Sequence, residues 1–394
     1  MRPPGPRTSA GAIALGGIAN VVCILPLFLT GAMAVQMMRE LSFGSAALGL
    51  AVAIPRGASA ALSPFLGRTA DQLGATRSIR LAALLAAVAA AGIAFTAHRW
   101  SVLVAWLAVT ACAQAIGQPA ANRLLSHAVR PGRLGLAFGI KQSAPPAATM
   151  LAGLSVPLVA LTLGWRWAYG MAALLALGVA VFARRPAPAG GRGRGAPAGG
   201  GKLANRRLIA LLILAVGLAT TTSTTITTFY VDAAVAAGSA PQLAGTVLAI
   251  ASVAAIACRV LLGAAGDHMA DGHLRLCAVL VAVGSVGFAM LASGTPSWMA
   301  VGALVGLAGT WGYNSVFWFT LVRAYPDSPG RATGAVAPGA LLGATTGPLV
   351  FGLIADGAGY QPAWMLMGVV AVIGMGAMLA AARELPSQRV QTVA

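Results

Sequence analysis

Charge is what this sequence has least of. Only 9% of its 394 residues are Asp, Glu, Lys or Arg, against 58% hydrophobic, and the mean hydropathy is +0.83. A soluble globular domain carries about 25% charged residues, so a water-soluble fold is excluded. Acidic residues are the scarcest. Glu40, Asp71, Asp232, Asp267, Asp271, Asp327, Asp356 and Glu384 are all there are, and each falls at or near the end of an apolar run. Histidine is nearly absent too: His98, His127, His268 and His273 all read as loop residues, so no nucleophile–base pair or metal set is expected at membrane depth. No cofactor is called for. The four cysteines, Cys23, Cys112, Cys258 and Cys277, sit inside apolar segments, which excludes a disulfide framework and leaves them as small core residues. Alternating ten-residue strand patterns are missing, which excludes a membrane barrel.

Long apolar runs are what the chain has instead. Spanning hydrocarbon takes about 20 apolar residues with every backbone group bonded internally, so the expected fold is an all-α membrane protein. Length and bounding charge, Gly or Pro place twelve transmembrane helices at 11–37, 45–67, 78–96, 100–122, 134–160, 164–183, 208–232, 242–265, 274–293, 297–322, 332–355 and 361–382. Residues 1–10 read as a disordered tail before a retained first helix. Residues 184–207, RRPAPAGGRGRGAPAGGGKLANRR, cannot bury a core and read as a flexible linker between a six-helix bundle over 11–183 and a second over 208–382. A short tail follows over 383–394.

The excess of base over acid, 26 Lys and Arg against 8 Asp and Glu, gives a net charge of +18. Its distribution decides what it means. With the amino terminus placed in the cytoplasm, inward loops hold most of these cations; Arg39, Arg99 and Arg166 fall on the other side. That asymmetry is the positive-inside pattern, so the charge reports a multi-pass protein of the plasma (inner) membrane with both termini cytoplasmic. No nucleic-acid partner is implied.

Two stretches carry a resemblance. GRTADQLGATR, from Gly67 to Arg77, follows the second apolar segment and contains Gly67, Asp71, Gly74 and Arg77; GAAGDHMADGHLR follows the eighth and repeats Gly263 and Asp267. Gly, Asp four residues on, then Gly and a basic residue resembles the loop 2–3 signature of the major facilitator superfamily. The halves repeat each other as well. Gly135 and Gly153 recur as Gly334 and Gly352, and GWRWAY at Gly164 to Tyr169 recurs as GYQPAW at Gly359 to Trp364. Similar offsets argue for a six-helix unit duplicated in parallel, the relation between the two halves of such transporters. The resemblance implies two pseudo-symmetric six-helix bundles and secondary transport of a small molecule by alternating access. It also implies that Asp71 and Asp267 latch the cytoplasmic side.

Departures from the family narrow the substrate. Ala113 stands where the fourth helix usually has Arg, and the fifth helix has Pro145-Pro146 without the glycine-rich motif of many drug antiporters. Arg259, four residues before Gly263, resembles the Arg-x-x-x-Gly placement of monocarboxylate and oxalate porters. The expected cavity follows from polar residues that lipid would not tolerate. Arg56, Lys141 and Arg259 lie inside apolar segments, where each costs about 2.5–3.5 kcal/mol at a helix centre and so needs water or a partner. Lys141 and Arg259 could instead snorkel inward. Asn20, Gln114 and Gln118, with Trp311, Tyr313 and Asn314 on the tenth helix, complete the candidate substrate-binding set; the hydroxyls from Thr220 to Thr228 read as bonded to their own helix. The glycines at 339, 343 and 347 give the eleventh helix a smooth face for close packing or for sliding against the second. With no acidic side chain among three cations, the expected substrate is a small organic anion such as a carboxylate, coupled to a proton or to an exchanged anion. Drug or antibiotic efflux on the same fold is the alternative, and a monomer in membrane lipid is expected.

Overall fold

The computed structural model describes residues 6–126, 140, 142–183, 205–266, 269, 271–325 and 329–385. Lys141, Asp267, the linker stretch 184–204 and the side chains of Asp71 and Asn122 lie outside the described residues. Among those described, every regular element is helical: α1 (Pro6–Ala32), α2 (Ala34–Leu41), α3 (Ser45–Leu73), α4 (Ala75–Thr96), α5 (Trp100–Ser126), α6 (Ala144–Ser155) with a π-helical turn at Val156–Ala160, α7 (Trp165–Phe182), α8 (Arg206–Ala236), α9 (Pro241–Gly266), α10 (His273–Leu291), α11 (Pro296–Ala324), α12 (Pro329–Ala358) and α13 (Tyr360–Glu384). Ten of these are long and apolar enough to cross a membrane.

Three boundaries differ from expectation. The first segment begins at Pro6, inside the stretch read as a tail, and breaks at Met33 into a short amphipathic α2. The loop motif is mostly helix: α3 runs through Gly67 and Asp71 to Leu73, and α4 starts at Ala75. Only Gly74 separates them, at φ +79, a backbone conformation that suits glycine. Ser78 tightens the corner by donating its hydroxyl to Ala70 O at 3.1 Å. His273 opens α10 instead of lying in a loop; it is buried, with a ring nitrogen 3.2 Å from Gly266 O.

Most packed helix pairs in the first half have a counterpart in the second. The first bundle pairs α4 with α5 and α7, α3 with α5, and α1 with α5 and α6. The second pairs α10 with α11 and α13, α9 with α11, and α8 with α11 and α12. Between bundles, α3 packs on α12, α6 on α9 and α1 on α8. The start of α8 and the end of α13 lie at one end of the molecule, called proximal here, where Asn205 Nδ2 and Arg207 reach Glu384 at 3.1 and 3.3 Å. The opposite, distal end is closed by backbone-to-backbone contact. A Cβ on Gly153 of α6 would meet Gly245 O of α9 at 2.7 Å, and a Cβ on Gly352 of α12 would run into Ser45 O of α3. Gly67 and Gly334, on the proximal halves of α3 and α12, have nothing within 4 Å. The bundles therefore touch backbone to backbone distally and make no such contact at Gly67 and Gly334.

Candidate functional site between the bundles

Arg56 comes from α3, directly after Pro55, and Arg259 from α9. The two guanidiniums are joined by a ladder of rings that crosses the bundle boundary. Arg56 Cζ lies 5.7 Å from the centre of the Phe28 ring on α1, Phe28 meets Trp311 of α11 edge-on at 6.0 Å, and Arg259 Cζ lies 4.8 Å over Trp311. One cation and one ring come from each bundle. A desolvated cation over an aromatic face is worth about 2 kcal/mol, which offsets part of the burial of each guanidinium.

Arg259 is held firmly. It is 2% exposed, its Nε donates to Trp311 O at 2.7 Å, and Ser315 Oγ donates to its carbonyl at 3.2 Å. Trp311 is fixed in turn by donating Nε1 to Ser223 O of α8 at 2.9 Å, so three helices of one bundle define where this guanidinium sits. Its Nη1 has no hydrogen-bond partner, and neither has Arg56 Nε. Among the described residues neither arginine meets a carboxylate; the ion pairs found are Arg166–Glu40 and Arg207–Glu384. A buried N–H of a cation left without an acceptor is expensive, so this arrangement suits an anion that supplies one.

The other expected site residues divide into groups. Tyr313 is buried, with its hydroxyl 3.2 Å from Thr220 Oγ1. Asn314 accepts a 2.6 Å hydrogen bond from Gln142 Nε2, two residues before α6, a bridge between bundles. Asn20 is buried on α1 with Oδ1 unpartnered, but no described contact joins it to the arginines. Gln114 is half-buried and Gln118 exposed on α5, and neither is joined to the ladder. The hydroxyls of Thr221, Thr222, Ser223, Thr224, Thr225, Thr227 and Thr228 donate to carbonyls of their own helix, which leaves Thr220 as the polar contact from that run. Phe28 and Gln142 were not anticipated. A single Phe in an apolar run gives no sequence signal; Gln142, an amide beside Lys141, gave one that the charge next to it obscured.

The glycines at 339, 343 and 347 settle differently from the sliding alternative. They press on α8 of their own bundle: Cβ atoms on Gly339 and Gly343 would run into Ile213 O and Gly217 O, and one on Gly347 would meet Thr221 O at 2.6 Å. The contact of α12 with α3 uses Pro348 and Gly352 instead, facing Gly49 and Ser45. Close packing within a bundle is thus what the stripe does.

With this geometry in place, comparison with known proteins is decisive at the level of family. The sequence matches the family described as Major Facilitator Superfamily over residues 16–339. The chain belongs to that superfamily. Its fold matches the crystal structure of a bacterial homologue of the human lysosomal transporter Spinster, in an inward-facing and occupied conformation, with a TM-score of 0.74. That match covers 95% of this chain and 97% of the other at 14% sequence identity, a level at which it speaks for the fold. No curated protein matches the sequence. The superfamily member described here is a multi-pass membrane protein and a secondary transporter for a small molecule.

Proposed function

We propose that this transporter moves a small organic anion, in the first instance a carboxylate, by alternating access about a site between Arg56 and Arg259. The observation that carries the reading is the pair of guanidiniums inside apolar helices, one per bundle, Arg259 buried and Arg56 half-buried, each with a buried N–H that has no acceptor and without a carboxylate among the described residues. An anion entering between the bundles accepts hydrogen bonds from both and reduces their mutual repulsion. It therefore binds best when the bundles are close, which makes occupancy itself favour an occluded state. Lys141, three residues before α6 in the sequence, would add to the same potential. Gln142 and Asn314 bridge the bundles beside this route, and their hydrogen bond would have to break for the proximal side to widen further.

The proton or a counter-transported anion would supply the driving force. Asp71 and Asp267 would latch the proximal side when it closes, because a carboxylate near a helix end and nearby Arg accepts charge-assisted bonds. The excess of base in the proximal loops supports a reading in which that end faces the cytoplasm and the protein sits in the plasma membrane. Drug or antibiotic efflux on the same fold is the competing outcome; a cation exporter would be expected to place Asp or Glu where the arginines are.

Proteoliposomes decide between them. Wild type is expected to take up labelled monocarboxylates or dicarboxylates in preference to cationic dyes, and Arg259→Ala and Arg56→Ala should each lower uptake about 10-fold or more, since losing a hydrogen bond to a charged group costs about 1.5–3 kcal/mol. Preference for cationic or neutral compounds, or full activity in both variants, would sink the anion assignment and leave the transporter untouched.

A further inference from the structure

Helix α3 begins without a cap of its own. Its N-cap residue is Gly44, which has no side chain to accept from the first N–H groups, although a helix start normally recruits Ser, Thr, Asp or Asn for that purpose. The missing acceptor comes from the other bundle. Asp356, near the end of α12, takes Ser45 N–H on Oδ1 at 2.7 Å and Ala46 N–H on Oδ2 at 3.0 Å. The glycine is what makes room: a Cβ on Gly44 would lie 2.9 Å from Asp356 Oδ2 and 3.0 Å from Oδ1. A second layer backs the first. Ser45 Oγ is 3.0 Å from the Tyr360 hydroxyl of α13, and Tyr360 donates to the buried carboxylate of Asp232 on α8, which fixes the ring where α3 arrives.

We infer that Asp356 is the latch of the distal gate, a helix cap supplied in trans that is made only while the bundles touch at that end. Within one bundle a cap stabilises a helix in every state of the cycle. Across two bundles it stabilises only the distally closed state, because rocking open carries α3 away and returns Ser45 and Ala46 N–H to water. The negative charge at the positive end of the α3 dipole adds to the hydrogen bonds. Asp356 thereby sets which way the empty carrier faces, independently of what binds between Arg56 and Arg259.

The backbone donor can be removed without touching Asp356. Ser45 is the first residue of α3, a position where proline is well tolerated because its N–H has no partner within the helix, and the extended backbone of Gly44, at φ −96 and ψ −175, suits the residue before a proline. Spin labels on Thr162→Cys and Ser297→Cys, two exposed distal residues on opposite bundles, in a background with the four native cysteines replaced, report distal opening as an interlabel distance. Wild type should be mainly closed. Asp356→Ala should raise the ratio of open to closed about tenfold, the effect of losing a helix cap; Ser45→Pro should raise it in the same direction but less, because Ala46 N–H keeps its bond to Oδ2. The double variant should go no further than Asp356→Ala alone, and Ser45→Ala, which keeps both backbone donors, should move the ratio less than Ser45→Pro. An unchanged ratio in Asp356→Ala, or full additivity with Ser45→Pro, overturns the latch. Should Asp356→Ala fail to insert, Ser45→Pro alone decides, and no change there overturns it equally. No substrate is used, so failure of the anion assignment would leave this result standing, and the reverse.

Discussion

At the scale of single residues, the distal corner of the first bundle shows how a charge is kept in place where the chain leaves the apolar layer. Glu40 of α2 accepts from Trp165 Nε1 and from Arg166, while Arg166 also donates to Ala97 O at 3.0 Å and stacks 4.3 Å over the Trp165 ring. Partial burial pushes the Glu40 carboxyl up, but the hydrogen bonds from Arg166 and Trp165 and the charge of Arg166 outweigh it and hold the group below its ordinary value. The folded protein therefore binds fewer protons there than the unfolded chain. That contribution to stability is complete above the ordinary carboxylate range, near pH 4.3, and is lost as the pH falls through it. Thermal unfolding in detergent should show a larger drop in Tm from pH 7 to pH 4 for wild type than for Glu40→Gln; equal drops would remove Glu40 from the account. Arg56 and Arg259 were legible in the sequence because charge inside an apolar run is rare and costly. Phe28 and Asp356 were not. Their roles depend on partners far along the chain, Asp356 lying 311 residues from Ser45, and no local pattern encodes which bundle faces which.

At the scale of elements, glycine placement separates contacts that must be close from those that need not be. The α8–α12 pair is the tightest kind, backbone against backbone, with Gly217, Gly339, Gly343 and Gly347 on its seam. The periodicity of the last three predicts a smooth helix face, but it cannot say against which neighbour, since any helix lying alongside would satisfy it. The structure assigns it to α8, so these two helices move together. Gly347→Val would force a side chain onto Thr221 O and the Thr225 hydroxyl. Overpacking of this kind costs about 1–3 kcal/mol and is expected to lower Tm by several degrees together with membrane abundance. Gly57→Ala, whose Cβ would stop 3.6 Å from Thr345 Cγ2, should leave both unchanged. A stable Gly347→Val would mean that the seam opens easily and that α12 is not fixed to α8. The loop motif shows the opposite limit of sequence reading: apolarity ends at Gly67 while the helix continues to Leu73, because hydropathy marks the bilayer and backbone hydrogen bonding marks the helix.

At the scale of the whole molecule, duplication sets both the architecture and the motion. The α3–α12 contact and the α6–α9 contact are pseudo-symmetric partners on either side of the α1–α8 pair, and both are closest at the distal end. Closing that end thus requires two glycine contacts at once. On α6 and α9 these are Gly153 and Gly245, where a Cβ on Gly153 would stand 2.7 Å from Gly245 O and 2.9 Å from Ala249 N. Unlike the α8–α12 seam, this surface would separate in the rocking motion proposed above, so a larger side chain there need not disturb the packing of either bundle. Gly153→Val should therefore insert at wild-type abundance with Tm nearly unchanged, since the bundles can keep the parted arrangement. It should nevertheless abolish turnover, because a carrier that cannot close distally cannot complete the cycle. Labels at Thr162→Cys and Ser297→Cys should report a long distance under all conditions, whereas Gly178→Ala, with nothing within 4 Å of the added carbon, should behave as wild type. Full transport by Gly153→Val would mean that the α6–α9 contact yields without loss and that rocking pivots elsewhere; a collapse in abundance would mean that the bundles depend on each other for stability and cannot be treated as rigid bodies that merely touch.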